Sequence, residues 1–141
     1  MVRVYTIQLA PVTKKNSSQI VMAHGHPCII PSKRYKEYEK DCAPFLRSEY
    51  PPITEPVNVE CMFYMPTRRR VDLTNCLSAI ADVLVHYGIL ADDNRDIVFS
   101  VDGSRVLYDK ENPRTEIVIS SINEEFERFG KDEEKHNPKR R

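Results

Sequence analysis

The stretch VDLTNCLSAIADVLVHYGILADDN, from Val71 to Asn94, holds the clearest helix pattern of the chain. Its apolar side chains recur at i, i+4, i+7 and i+11, which places them on one face of an α-helix. They are Leu73, Leu77, Ile80 and Leu84, with Cys76, Ala79 and Val83 beside them. Gly88 is a typical residue just beyond a helix end. The pattern predicts an amphipathic helix that begins after Asp72.

Strands are predicted on both sides of this helix. Residues 57–66 alternate apolar and polar side chains with a period of two, which is typical of a half-buried strand. Other strands are predicted at 3–12, 19–23, 96–103, 104–109 and 114–120. We expect 19–23 to form a hairpin with the first strand, and Asp102-Gly103 to be the turn of another hairpin.

A second helix is predicted after Ser32, which is a favourable N-cap residue. Strands mixed with two helices indicate an α+β fold, a two-layer sandwich in which both helices cover one face of a mixed β-sheet. The length of 141 residues fits one domain, assigned to residues 1–122. Residues 123–141 are mostly charged, so we predict a disordered tail there.

Composition narrows the class of protein. The formal net charge is zero, which argues against a uniformly basic surface but allows a local basic patch. None of the four cysteines forms a CxxC pair, so we expect buried, reduced thiols rather than a zinc site. No apolar run approaches the length of a membrane span, and no signal peptide is visible, which favours the cytoplasm.

Acidic and basic residues are concentrated at the two ends of the predicted helix. Arg68, Arg69 and Arg70 immediately precede Asp72, and Asp92 and Asp93 follow the helix. Neighbouring carboxylates are costly unless a cation neutralises them, and Mg²⁺ is bound by one or two carboxylates together with substrate phosphates. Arginines suit phosphate binding. Together these residues predict a metal-dependent nuclease.

A simpler interpretation of the same residues stays open. Asp72 is also a good helix N-cap, and Asp92-Asp93-Asn94 is also a common turn sequence. In that case the acidic residues would only stabilise helix ends, and the chain would be an interaction protein without DNA affinity.

The frame RRRVDLTN, followed by AIADVLVHYGILADDN and PRTEI, resembles the RusA-type Holliday junction resolvases. The family pattern has arginines before Asp-x-Asp-Asn, then a helix ending in a glycine, then Asp-Asp. Asp72, Asn75, Gly88 and the Asp92-Asp93 pair match it. The segment PVTKKNS resembles the family's N-terminal loop, at Lys14, Lys15 and Asn16.

The resemblance implies a small homodimeric nuclease, often phage- or prophage-borne, that binds four-way DNA junctions and nicks opposed strands with Mg²⁺ or Mn²⁺. It implies Asp72, Asp93 and Asn75 as catalytic residues, with Asp72, Asp93 and the adjacent Asp92 as metal ligands. Asn75 would position Asp72 or a metal-bound water. The residues expected to bind DNA are Lys14, Lys15, Asn16, Arg68, Arg69 and Arg70.

The sequence departs from the family pattern at two positions. Thr74 stands where the second aspartate is expected, and Ser78 stands where a catalytic lysine is expected. Asp82 and Asp102 are candidates to replace the missing carboxylate. The alternative function is therefore a branched-DNA-binding protein with weak or absent catalysis.

The length of the predicted helix limits how Asp72 and Asp93 can come together. Fifteen helical residues span about 22 Å, so the loop must carry Asp93 back toward Asp72, or Asp93 must meet Asp72 from another subunit.

Overall fold

The structure is a computed structural model that describes residues 1–14 and 18–122. Lys15, Asn16 and the predicted tail, residues 123–141, lie outside the described residues. The elements in chain order are β1 (Val2–Ile7), β2 (Ser18–Ala23), β3 (His26–Pro31), α1 (Lys33–Asp41), a 3₁₀ turn (Ala43–Phe45), β4 (Val57–Met65), α2 (Leu73–His86), β5 (Val98–Ser100), β6 (Arg105–Tyr108) and β7 (Arg114–Ser121).

The main sheet has five strands, with β4 at its centre. β7 pairs antiparallel with both β1 and β4, while β5 and β6 pair parallel with β4. β2 and β3 form a separate two-stranded sheet. The mixed sheet and the two helices confirm the predicted α+β class.

The core lies between one face of the main sheet and the helices. On β4 this face carries Val57, Val59, Cys61 and Phe63, all buried, as the period of two predicted. The buried residues of α2 are Cys76, Ala79, Ile80, Val83 and Leu84. Leu73 and Leu77 are only partly buried, so the helix faces the sheet with a stripe slightly rotated from the predicted one.

Helix ends follow the expected local chemistry. The Ser32 hydroxyl accepts a hydrogen bond from the Tyr35 backbone N–H at 3.3 Å and so caps α1. Gly88 has a φ of +68°, the left-handed conformation that commonly ends a helix. Gly88 thus marks where α2 stops and where the loop that carries Asp92 and Asp93 begins.

The hairpin predicted around the Asp102-Gly103 turn is wrong. These residues do form a turn, with Gly103 at a φ of +87°, but β5 and β6 each pair with β4 rather than with each other. β5 pairs with the start of β4, and β6 with its end. With nine residues, β4 is long enough for two short strands to pair with it one after the other. The turn therefore joins β5 to β6 along the same edge of β4.

The predicted partner of β1 is also wrong. β2 pairs with β3, and β1 pairs with β7. His24 and Gly25 adopt positive φ values of 51° and 77° and form the tight turn of the β2–β3 hairpin.

Candidate active site

Asp72 stands at the N-cap position of α2 but does not cap it through its side chain. Its backbone carbonyl accepts hydrogen bonds from the N–H groups of Asn75 and Cys76. The carboxylate instead accepts a hydrogen bond from the Asn75 side-chain amide, with 3.3 Å between Nδ2 and Oδ2. Because Asp72 is exposed, its carboxylate faces solvent. The carboxylate can therefore bind a metal ion without giving up a hydrogen bond that caps the helix.

A basic cleft lies immediately beside Asp72. It has a volume of about 560 Å³, and its walls come from the loop after β1, the first turn of α1 and the segment between β4 and α2. Three arginines line it: Arg34, Arg69 and Arg70. Three guanidinium groups around one cleft suit the binding of phosphate groups.

Arg68 is directed elsewhere. Its guanidinium carbon lies 4.2 Å above the ring centre of Tyr108 at the end of β6. This is a cation–π contact between exposed residues. Arg68 and Tyr108 thus form an exposed stacked pair, and neither residue lines the cleft.

Lys14 and Asp82 form an ion pair, with 2.7 Å between Nζ and Oδ2. The ammonium also lies 5.0 Å from the ring centre of Tyr35. Asp82 stands ten residues after Asp72, which corresponds to about 15 Å along the helix axis. Lys14 thus neutralises Asp82 within the chain, and Asp82 does not lie beside Asp72.

The second acidic pair lies in a well-defined exposed loop. Asp92 accepts hydrogen bonds at both carboxylate oxygens, from the Asp93 backbone N–H at 2.8 Å and from the Asn94 side-chain amide at 3.1 Å. Asn94 in turn accepts a bond from the Asp96 N–H at 3.0 Å. Asp92 therefore shapes the loop, and Asp93 is the neighbouring exposed carboxylate.

Asp72 and Asp93 lie at opposite ends of the domain. Asp72 is the neighbour of Val71, which lines the same cleft as Met65 at the end of β4, whereas Asp93 precedes β5, which starts opposite Val57 at the first residue of β4. The 14 residues of α2 span the distance between these ends, about 21 Å. Accordingly, within residues 1–14 and 18–122, no three acidic, histidine or cysteine side chains form a cluster fit to hold a metal.

A comparison with known protein families matches residues 8–120 to the family described as endodeoxyribonuclease RusA. The match covers most of the chain. The chain belongs to the RusA endodeoxyribonuclease family. This confirms the predicted resemblance to nucleases that bind branched DNA and resolve Holliday junctions. A comparison with curated proteins gave no match.

The two departures from the RusA pattern lie on the exposed surface of α2. Thr74 and Ser78 are both exposed, and their spacing of four places them side by side on one helix face. Asp72 directly precedes this face. The two positions at which the RusA pattern is expected to carry a carboxylate and an ammonium thus carry two hydroxyl groups here.

The structure brings two further candidate site residues to this region, Arg34 and Tyr108. Arg34 lines the cleft, and Tyr108 lies under Arg68. In the sequence both belong to ordinary elements, the first turn of a helix and the end of a strand, so only the fold brings them to the segment before Asp72. Among the described helices, none is long and apolar enough to cross a membrane.

Proposed function

We propose that this RusA-family chain is a metal-dependent endonuclease that cuts four-way DNA junctions with Mg²⁺ or Mn²⁺. One observation carries the proposal. The Asp72 carboxylate makes no cap to its helix, is held by Asn75, and stands beside a cleft lined by three arginines. The side chain of Asp72 lacks the cap hydrogen bond through which an N-cap aspartate usually stabilises its helix.

The donor chemistry fits Mg²⁺ better than a softer metal. Mg²⁺ takes hard oxygen ligands and is commonly bound by one or two carboxylates together with substrate phosphates. Such an ion stabilises negative charge on a phosphoryl group and activates water. The chain itself would hold the ion through Asp72, orient that carboxylate through Asn75, and bind the DNA backbone through Arg34, Arg69 and Arg70.

The second carboxylate of the site is proposed to come from another subunit. Asp93 lies about one helix length from Asp72 in the same chain, too far for both to touch one ion. In a symmetric homodimer, two such sites would form at once, each with Asp72 from one subunit and Asp93 from its partner. Asp92 is the weaker candidate ligand because the loop already uses both of its oxygens.

The first test is cleavage of a labelled synthetic four-way junction in Mg²⁺ and in Mn²⁺. We expect paired nicks that are lost in Asp72→Asn and in Asp93→Asn. Asp41→Asn, which removes an exposed acid at the end of α1, is the matched control and should cut normally. Full cleavage by the Asp72→Asn protein would refute the proposed site.

Subunit mixing tests whether the site is shared. Asp72→Asn and Asp93→Asn proteins are mixed, unfolded together and refolded. A shared site predicts recovery of about one quarter of the wild-type sites, because half of the dimers are mixed and each holds one intact site. Those dimers should release single-nicked junctions rather than paired cuts. No recovery would mean that each site is built within one chain.

A second candidate function is junction binding with weak or absent catalysis. The observation that favours it is the pair of uncharged residues, Thr74 and Ser78, next to Asp72. Tight junction binding without nicks in either metal would support this candidate. Neither binding nor nicks at low salt would refute both candidates, because binding through these arginines must strengthen as salt falls.

A further inference from the structure

A second groove, separate from the basic cleft, follows the outer edge of the main sheet. This edge groove has a volume of about 590 Å³ and lies between β1 and residues 47–50. Four consecutive residues of β1, from Val2 to Tyr5, line it. Neighbouring side chains of a strand point to opposite faces, so four lining residues in a row place the groove along the edge of the strand. The edge groove shares no lining residue with the cleft beside Asp72.

The backbone of β1 is unpaired along this groove. Among the described strands, β1 is the outermost of the main sheet, and its partner is β7. The Met1 carbonyl accepts a hydrogen bond from the Ser121 backbone N–H at 3.1 Å, so the backbone of Met1 faces β7. Since backbone groups alternate sides along an antiparallel strand, those of Val2 and Val4 face the groove. The edge therefore offers both N–H donors and C=O acceptors to a further strand.

Two arginines in the groove lack an acidic partner. The Arg3 guanidinium lies over the ring of Tyr50, with 4.7 Å between Cζ and the ring centre. Its Nη1 atom is buried, and none of the described residues supplies it with a hydrogen-bond acceptor. Arg47 and Glu49 line the same groove, but the ion pairs of the described residues include neither arginine. A buried donor without an acceptor is costly, so a ligand that brings an oxygen atom to Arg3 gains affinity.

An extended peptide with acidic side chains matches both features. Its main chain can pair with the N–H and C=O groups of β1, and its carboxylates can accept hydrogen bonds from Arg3. A DNA backbone offers phosphate acceptors but no donor for the carbonyl groups of Val2 and Val4. The β1 strand of a second copy would bring another Arg3 into the groove, and like charges opposite each other are unfavourable.

We propose that the edge groove binds an extended acidic segment of another protein, which joins the main sheet as a strand beside β1. Alternate side chains of this segment face opposite ways. Apolar side chains pack on Val2 and Val4, which are 69% and 67% exposed, and acidic side chains face Arg3 and Arg47. The groove is then a docking site for a partner, and it uses none of the residues proposed for cleavage.

Fluorescence anisotropy of a labelled peptide tests the charge requirement. The probe is a short capped peptide of alternating valine and glutamate, titrated with the full chain, and its control carries glutamine in place of glutamate. We expect the glutamate peptide to bind at least about tenfold more tightly than the control. Arg3→Gln and Arg47→Gln should each weaken its binding by about tenfold. Arg105→Gln, which changes an exposed arginine on β6, is the matched control and should leave binding unchanged.

Val4→Pro tests the strand pairing. It removes an N–H that faces the groove and leaves the hydrogen bonds to β7 in place, an orientation in which an edge strand tolerates proline. We expect the glutamate peptide to bind about tenfold more weakly, because one main-chain hydrogen bond is lost and a carbonyl of the peptide is left unpaired. Val4→Thr keeps the N–H and should bind the peptide normally. The circular dichroism and the Tm of both variants should match those of the unchanged protein.

Several results would overturn the docking site. The first two are no binding of the glutamate peptide and equal binding of the glutamate and glutamine peptides. Binding unaffected by Val4→Pro would reduce the groove to a site for a single anion, and displacement of the peptide by duplex DNA would make it a DNA contact. Tighter peptide binding after Glu124→Gln with Glu125→Gln would assign the groove to the chain's own C-terminal residues. None of these readouts involves cleavage, so failure of the groove and failure of the nuclease are distinguishable.

Discussion

The Asn75 side-chain amide donates a hydrogen bond to the Asp72 carboxylate over 3.3 Å, across the first turn of α2. The two residues are three apart, so the helix itself sets their separation. The bond restrains a carboxylate that would otherwise rotate freely in solvent. We therefore predict that Asn75 acts as a positioning residue for Asp72.

We expect Asn75→Ala to lower kcat/KM for junction cleavage by about tenfold, the size of one modest hydrogen bond to a charged group. The Mg²⁺ concentration for half-maximal rate should rise as well, because the ligand is less well oriented. Thermal unfolding should barely change, since the pair is exposed. A rate loss accompanied by a large fall in Tm would instead indicate a structural role.

Restoring the missing charges should increase activity. Thr74→Asp with Ser78→Lys places a carboxylate and an ammonium, four residues apart, on the exposed face beside Asp72. An added ligand charge strengthens binding of a hard cation. We expect a lower Mg²⁺ requirement and a cleavage rate at least about tenfold higher. Unchanged rates and metal dependence in the double variant would contradict this placement of the site.

The central elements were predictable because they depend on local patterns. The alternation in β4 and the apolar stripe of α2 each identify an element and its buried face without reference to partners. In these cases the local physics and the final fold agree. The length of α2 left two arrangements open, a loop that returns Asp93 to Asp72 or a site shared between subunits, and in the structure the loop does not return Asp93 to Asp72.

The wrong predictions concern which strands pair with each other, and local sequence patterns carry no information about that. Asp102-Gly103 is a turn in either topology, and only the length of β4 allows β5 and β6 to pair with it in succession. In the same way, Arg34 reaches the cleft because α1 packs beside the segment that leads to α2. Its position in the sequence carries no such signal.

Asp82 is not expected to replace the missing carboxylate. Its side chain is paired with Lys14 at 2.7 Å and is 38% exposed. A half-exposed ion pair of this kind contributes at most about 1 kcal/mol. Asp82→Asn should therefore lower stability slightly and leave the Mg²⁺ dependence of cleavage unchanged, as measured by metal titration of the rate. A large rise in the Mg²⁺ requirement would make Asp82 a metal ligand.

Stability should fall in alkaline solution. Burial raises the pKa of the Cys61 thiol to about 12 and that of the Cys76 thiol to about 11. An unfolded chain loses these protons near pH 8.5, so above that pH the folded state binds more protons. The thiol contribution is complete below about pH 8.5 and is lost as the pH rises toward 11 and 12.

Urea unfolding between pH 7 and pH 10 measures this effect. The free energy of unfolding should decrease with pH above about 8.5, and Cys61→Ala should show a shallower decrease, although its stability at pH 7 is lower. The same slope in both proteins would mean that Cys61 does not carry the effect.

Arg34 should contribute to DNA affinity although it lies far from Asp72 in sequence. Each phosphate contact adds about 0.9 to the slope of log K against log salt concentration. Arg34→Ala should therefore reduce that slope by about one unit, and should weaken junction binding by about tenfold at low salt. Arg47→Ala, an exposed arginine outside the cleft, is the matched control. Equal slopes for the two variants would mean that Arg34 binds no phosphate in the cleft. A reduced slope for Arg34→Ala alone would show that the DNA backbone runs past Asp72 along the first turn of α1.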